Sequence, residues 1–393
     1  MIRKTFLLLL PIILFSQSNF FGYYEGEFDQ LKFANQTYNY GYNKLRLDFE
    51  ANPDDVVTIG ANINIQKYFD NISWNLLDFL PSEIWQPIFQ PDGYPEEMWI
   101  MEFPIALLDT LYLDNVYLKA GFKHFDLMVG KQQISLGTGY AWNPTDIFNT
   151  KQLLDPTYEQ TGVNAVRAEI SLKGRTNLDA ILSPGKDWNE SVKMLQLKTK
   201  LGGFDMQGTI GQYTWQRTQF NSTTFMVDEQ NNLRTLYGGS VVGELAGAGV
   251  WIEGAWNQLE NQEDFTEVAI GTDYTFKNSL YIIMEYLRNE NGVSSKDNLD
   301  INNYLQYFMG ETHSLMQDYL FGFLSYPVND FIQLSLLGFG NLNDNSAALN
   351  PQISWNLFQD VDLIIMYNHF LGEDNTEFGV QDWGWRIRLR GYF

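Results

Sequence analysis

Gln381-Asp382-Trp383-Gly384-Trp385-Arg386-Ile387-Arg388-Leu389-Arg390-Gly391-Tyr392-Phe393 closes the chain, and its alternation decides the fold. Trp383, Trp385, Ile387, Leu389 and Phe393 fall on one face of an extended segment, while Arg386, Arg388 and Arg390 fall on the other. A period of two is the signature of a β-strand. Three arginines cannot face hydrocarbon, and an aromatic row is poorly placed in water. A strand with lipid on one side and a wet lumen on the other satisfies both.

The same stretch resembles the C-terminal assembly signal of bacterial outer-membrane β-barrels, in which apolar residues alternate up to a final Phe. That resemblance implies recognition by a barrel-assembly machinery through the last strand.

Composition agrees with a barrel. Of 393 residues, 16% are aromatic, with 22 Tyr, 28 Phe and 11 Trp, and Pro is sparse at 12. Aromatic girdles at two interfaces use such residues. Mean hydropathy is -0.25, too polar for a helical membrane protein. Cysteine is absent, so neither disulfides nor thiolate metal sites exist. The formal charge of -23 excludes a nucleic-acid partner on electrostatic grounds. Residues 1–18 carry a basic start (Arg3, Lys4), an apolar core and small residues at Ser16 and Ser18. They are expected to be a cleaved signal peptide, leaving residues 19–393 as a single barrel domain.

Outward from the closing stretch, alternation recurs. In residues 40–51, Leu45, Leu47, Phe49 and Ala51 oppose Lys44, Arg46, Asp48 and Glu50. Asn52-Pro53-Asp54-Asp55 is a turn, and residues 57–66 alternate again. Each such strand is about ten residues long, the length of a tilted strand crossing a bilayer. The pattern predicts 18 strands, or 16, in an all-β, antiparallel, up-and-down transmembrane barrel. Nine longer loops alternate with eight short turns. Long connections are expected at residues 29–39, 69–109, 137–161, 216–236 and 289–316. The Trp- and Pro-rich segment 69–109, which includes Pro91, Pro95 and Trp99, is either an extracellular cap or an insert in the lumen.

Residues 126–149 read Asp-Leu-Met-Val-Gly-Lys-Gln-Gln-Ile-Ser-Leu-Gly-Thr-Gly-Tyr-Ala-Trp-Asn-Pro-Thr-Asp-Ile-Phe-Asn. With Gly162-Val163-Asn164-Ala165-Val166-Arg167, this resembles alginate-export-like and related substrate-specific outer-membrane porins. Lys131 stands where those proteins commonly carry Arg. The resemblance implies porin-like transport across the outer membrane, with a loop that narrows the pore.

If the apolar faces meet lipid, pore-lining candidates are Lys44, Arg46, Asp48, Glu50, Lys119, Arg167, Glu169, Lys198, Lys200, Arg386, Arg388 and Arg390. Basic rings favour anions; charges paired with neighbouring acids would only solvate the lumen. Loop 137–161 is the expected constriction. There Tyr140 and Trp142 could stack on a solute, and Asn143 and Asp146 could bond hydroxyls. The alternative is that Asn-Pro-Thr-Asp builds a capped turn.

No catalytic motif appears, and the histidines are scattered; Ser354 with His369 is the one pairing worth locating. No cofactor or metal is indicated, although Asp54-Asp55 or Glu373-Asp374 could bridge divalent ions to lipopolysaccharide. The expected partners are outer-membrane lipid and lipopolysaccharide, the assembly machinery and small polar solutes, in a monomer or homo-trimer. The function expected is a diffusion channel for small polar or anionic solutes. The alternative is a plugged barrel that binds or exports surface polysaccharide.

Overall fold

The computed structural model describes residues 18–33, 36–90, 104–149, 151, 159–224 and 226–393. Most of the expected signal segment lies outside the described residues, as do Pro91, Pro95 and Trp99. The described strands close into one antiparallel barrel of 18. They are β1 Ser18–Phe33, β2 Gln36–Ala51, β3 Val57–Asp70, β4 Val116–Gly121, β5 Phe125–Gln132 and β6 Val163–Ser171. Next come β7 Asn177–Ser183, β8 Val192–Leu201, β9 Phe204–Asn221, β10 Met226–Leu245, β11 Ala248–Leu259 and β12 Phe265–Thr275. The last six are β13 Tyr281–Asn289, β14 Asp318–Pro327, β15 Ile332–Asn341, β16 Ser346–Phe358, β17 Val361–Leu371 and β18 Gln381–Tyr392.

Each strand pairs with its sequence neighbours, and β18 returns to β1, from Tyr23 opposite Tyr392 to Phe33 opposite Gln381. Closure removes both sheet edges, which hydrocarbon would otherwise leave without hydrogen-bond partners. Outward-facing side chains form an apolar belt: on β18 alone, Trp385, Ile387 and Leu389 are 45%, 46% and 47% exposed. Their neighbours Arg386, Arg388 and Arg390 point inward, as the alternation of the closing stretch requires.

Two expected loops are strand instead. Residues 29–39 are not a polar loop: β1 and β2 stay paired up to Phe33 opposite Gln36. Residues 216–236 likewise extend β9 and β10, paired as far as Asn221 opposite Met226. Both stretches are mostly polar, with apolar residues such as Phe33 and Phe220 too few to give a period-two signal. The inner face is covered by the loops, where Phe33 and Phe220 are buried, and the backbone ladder holds without an apolar outer face.

The described parts of the remaining long connections fold inward. The 71–115 connection contains a short helical turn, Leu76–Phe79, and α1, Ser82–Phe89. The 290–317 connection contains α2, Ile301–Phe308. Asp300 caps α2 by accepting from the backbone N–H groups of Asn302 and Asn303, and Asn303 returns a bond to the cap. Leu77, Leu80 and Phe89 from the first join Trp142, Ile301, Tyr304 and Phe378 from other loops. Together they form an apolar core against the inner faces of β12 to β17.

Candidate functional site

The lumen has two unlike sides. The first is the closing seam. Cross-strand register puts Arg386 opposite Asp29, Arg388 opposite Glu27 and Arg390 opposite Glu25. Arg386 Nε lies 2.7 Å from Asp29 Oδ1, Arg388 Nε 2.5 Å from Glu27 Oε2, and an Arg390 terminal nitrogen 2.5 Å from Glu25 Oε2. The Tyr42 hydroxyl on β2 donates to Glu25 and Glu27 at 2.8 and 3.1 Å. These three acids are at most 5% exposed. Sequence reading named the arginines and missed their partners. The signal was present, since Glu25, Glu27 and Asp29 alternate in the first strand. Only pairing the first strand with the last reveals what they meet.

The other basic residues named from sequence are also paired. Lys44 reaches Glu159 at 3.4 Å, and Arg46 meets Asp48, Glu159 and Asp114 at 2.9, 2.6 and 3.5 Å. Glu50 accepts from Asn52 at 3.2 Å. Arg167 bridges Asp179 and Glu169 at 2.6 and 2.5 Å, and Lys198 joins Asp179 at 3.7 Å. Lys119 pairs with Asp126 at 2.9 Å and Lys200 with Asp205 at 3.3 Å. Glu159 belongs to the return of loop 133–162. Burial raises its carboxyl, but Lys44 and Arg46 outweigh that and hold it below its ordinary value.

The second side is the wall of β11 and β13, where the same loop is pinned after crossing the barrel. Glu285 of β13 accepts the backbone N–H groups of Tyr140, Ala141 and Trp142 at 2.7, 3.0 and 2.7 Å, plus the Trp251 indole at 2.7 Å. Glu253 of β11 accepts the Thr138 N–H at 2.5 Å, and the Thr145 N–H and hydroxyl at 2.8 and 2.7 Å. A carboxylate that collects several N–H donors is a strong anchor, because each bond is charge-assisted. Gly137 sits at φ +86°, and a Cβ there would come within 2.7 Å of Glu253 Oε1.

Of the loop residues named from sequence, Trp142, Asn143 and Asp146 are buried and Tyr140 is half exposed. The Trp142 ring packs against Tyr319, Phe321 and Phe339, with centroids 6.1, 6.4 and 6.1 Å away. Asp146 accepts from the N–H groups of Leu136 and Phe148, each at 3.0 Å, and its own N–H donates to the Asn143 carbonyl. Asn-Pro-Thr-Asp therefore builds a capped turn. Tyr140 alone of the four leaves its ring partly exposed, stacked on Phe321 at 5.4 Å and Phe323 at 5.8 Å.

Ser354 and His369 are not brought together: Ser354 stands opposite Ile364, and His369 opposite Leu349. Asp54 caps its turn through Val56 and Val57, and Glu373 pairs with Lys296 at 2.7 Å. Among the described residues, no cluster of three metal-ligating side chains forms. Between loop and seam lies a cavity of about 290 Å³, bordered by Arg388, Arg390, Lys44, Glu27, Tyr42 and Glu159.

This architecture recurs in solved porin-like outer-membrane barrels. The chain is similar to OccK11 (OpdR) of Pseudomonas aeruginosa at TM-score 0.58 and 9% identity, over 96% of each chain. It is similar to OccAB4 of Acinetobacter baumannii at TM-score 0.56 and 10% identity, over 96% of this chain and 98% of that one. Both are outer-membrane β-barrel porins. No protein-family model matches the sequence, and no curated protein sequence does. The likeness is one of fold.

Proposed function

We propose that the protein is an outer-membrane channel through which small polar solutes diffuse, narrowed by the loop pinned to Glu253 and Glu285. One observation carries this reading. The crossing loop is fastened to the far wall, while its return bonds to the seam side through Glu159 and leaves the charge-lined cavity open between them. Residues 1–18 are the signal that takes the remaining barrel to the outer membrane, and the closing strand is the handle for its assembly. The motif in residues 126–149 supports kinship with alginate-export-like, substrate-specific porins.

The paired charges favour polar over strongly anionic solutes, since each seam arginine faces a carboxylate. The test is a liposome-swelling series with sugars, amino acids and organic acids, alongside conductance in planar bilayers. Swelling with none of these and a closed bilayer would remove the channel reading. They would favour the plugged barrel that grips surface polysaccharide. That second reading draws on the apolar core shared by several inner loops.

A further inference from the structure

A second cavity, of about 320 Å³, lies under α2, between the 372–380 loop and the 76–79 turn. Aromatic rings make up much of its wall, Phe79, Tyr304, Tyr307 and Phe378 among them, and Asn368 and Gln381 add polar surface. One polar group in this lining lacks a partner and another is satisfied on one oxygen. The Tyr304 hydroxyl is buried and, among the described residues, meets no hydrogen-bond partner, on a residue only 2% exposed. Glu377 is 9% exposed; its Oε2 accepts from Tyr319 at 2.6 Å and Asn341 at 2.7 Å, and among the described residues no side chain donates to Oε1.

The charges around the cavity are lopsided. Glu377 acts on the Tyr304 hydroxyl more strongly than any other charge, followed by Asp344 and Glu83. Arg386 borders the far end, but Asp29 and Glu27 at 2.7 and 3.4 Å neutralise it. Among the described residues, Glu377 therefore has no cation of its own. Burial has pushed its carboxyl up to about 7, the behaviour of an acid kept without a counter-charge.

We propose that this cavity is a binding site for an organic ammonium ion carrying one apolar ring. The ammonium donates to Glu377 Oε1 and the Tyr304 hydroxyl, while the tyrosine and phenylalanine rings surround the cationic end and the ring it bears. Aromatic faces attract cations through their quadrupoles, and more strongly where water is excluded. A neutral ring gains only the apolar walls. A ring carrying a carboxylate meets Glu377 as a like charge. The volume is at the lower end for small-molecule sites, enough for a single-ring amine. The site lies within the channel proposed above but does not depend on conduction.

Calorimetric titration of the full chain in detergent micelles tests it, with phenethylammonium, phenethyl alcohol and phenylacetate as probes. Phenethylammonium is expected to bind saturably, at one site per chain, at least tenfold tighter than the other two. Glu377→Gln keeps an acceptor for Tyr319 and Asn341 and is expected to erase that advantage. Tyr304→Phe is expected to weaken amine binding several-fold and leave the alcohol unchanged. The heat-modified mobility of a folded barrel on gels checks that each variant is assembled. Equal binding of the three probes, no binding of the amine, or an unchanged advantage in folded Glu377→Gln would each overturn the proposal. Conductance of the same preparations separates the two ideas: a conducting barrel that ignores the amine sinks only the site. A barrel that binds the amine and never conducts sinks only the channel.

Discussion

Arg388 and Glu27 face each other across the seam where the last strand meets the first, with Nε 2.5 Å from Oε2, and both are nearly inaccessible to water. Above and below them, Arg386 with Asp29 and Arg390 with Glu25 repeat the contact at two-residue steps. Three matched pairs set the register in which the barrel closes. A slip of two residues would move two of the arginines onto neighbouring acids and strand the third. A slip of one would turn every arginine toward lipid.

Breaking the central pair is therefore expected to be costly. Glu27→Ala takes away the carboxylate 2.5 Å from Arg388 Nε, with Glu25 next at 3.8 Å. Breaking a buried ion pair by removing one of its members typically costs about 3 to 5 kcal/mol. Urea titration of the folded barrel in lipid, read by gel mobility, should show the loss. The double variant Glu27→Leu with Arg388→Met should recover most of it. Equal stability of wild type and Glu27→Ala would deny the seam this role.

The loop anchor gives a second expectation. Glu285→Ala removes the acceptor of three consecutive backbone N–H groups and of the Trp251 indole. The segment around Tyr140 should then leave the wall intermittently, seen in planar bilayers as added current noise and brief conductance changes. Deleting residues 138–160 should raise the mean conductance markedly. Quiet, unchanged traces from both variants would place the loop outside the conducting path.

How much of this the sequence disclosed depends on the range of the interaction. Leu45, Leu47 and Phe49 opposing Lys44, Arg46 and Asp48 is a local pattern, so the strands, their number and their inward faces could be read directly. The capped turn at Asn143–Asp146 was one of two local readings, and it is the one found. Glu253 and Glu285 could not be assigned in advance. Each is an inward acid on an ordinary strand, and the loop N–H groups it binds lie more than 100 residues away in sequence. The seam acids were hidden for the same reason. The upper halves of β9 and β10 escaped because their inward residues, Thr218 and Asn232 among them, are mostly polar and are covered by a distant loop, so no apolar alternation marks the strand.

For the channel proposed above, selectivity follows from the pairing. Glu159 is the carboxylate shared by Lys44 and Arg46 at 3.4 and 2.6 Å, and it borders the cavity on the seam side. Glu159→Gln leaves that cavity one unit more positive. In a salt gradient the reversal potential should shift toward anions relative to wild type, and the shift should shrink as ionic strength rises. A shift toward cations would mean that ions do not pass this cavity.

The pH dependence of stability is expected to carry the mark of Glu377. Its carboxyl is raised from 4.5 to about 7, chiefly by burial, with Asp344 adding to the rise; Tyr319 and Asn341 bond it but offset only part. The folded barrel thus holds a proton that the unfolded chain releases. A raised acid contributes its full stability below the unfolded value, near 4.5, and loses it as pH climbs through about 7. At 1.36 kcal/mol per unit, the loss across that window is on the order of 3 kcal/mol. Glu377→Gln is neutral throughout and should lack this slope. Thermal unfolding of both proteins at half-unit steps from pH 4 to 8 is the measurement. The wild-type midpoint should fall relative to the variant between pH 4.5 and 7 and run parallel to it above. Parallel curves over the whole range would mean that Glu377 meets water or a cation in the folded barrel, and the amine site would lose its uncompensated charge with it.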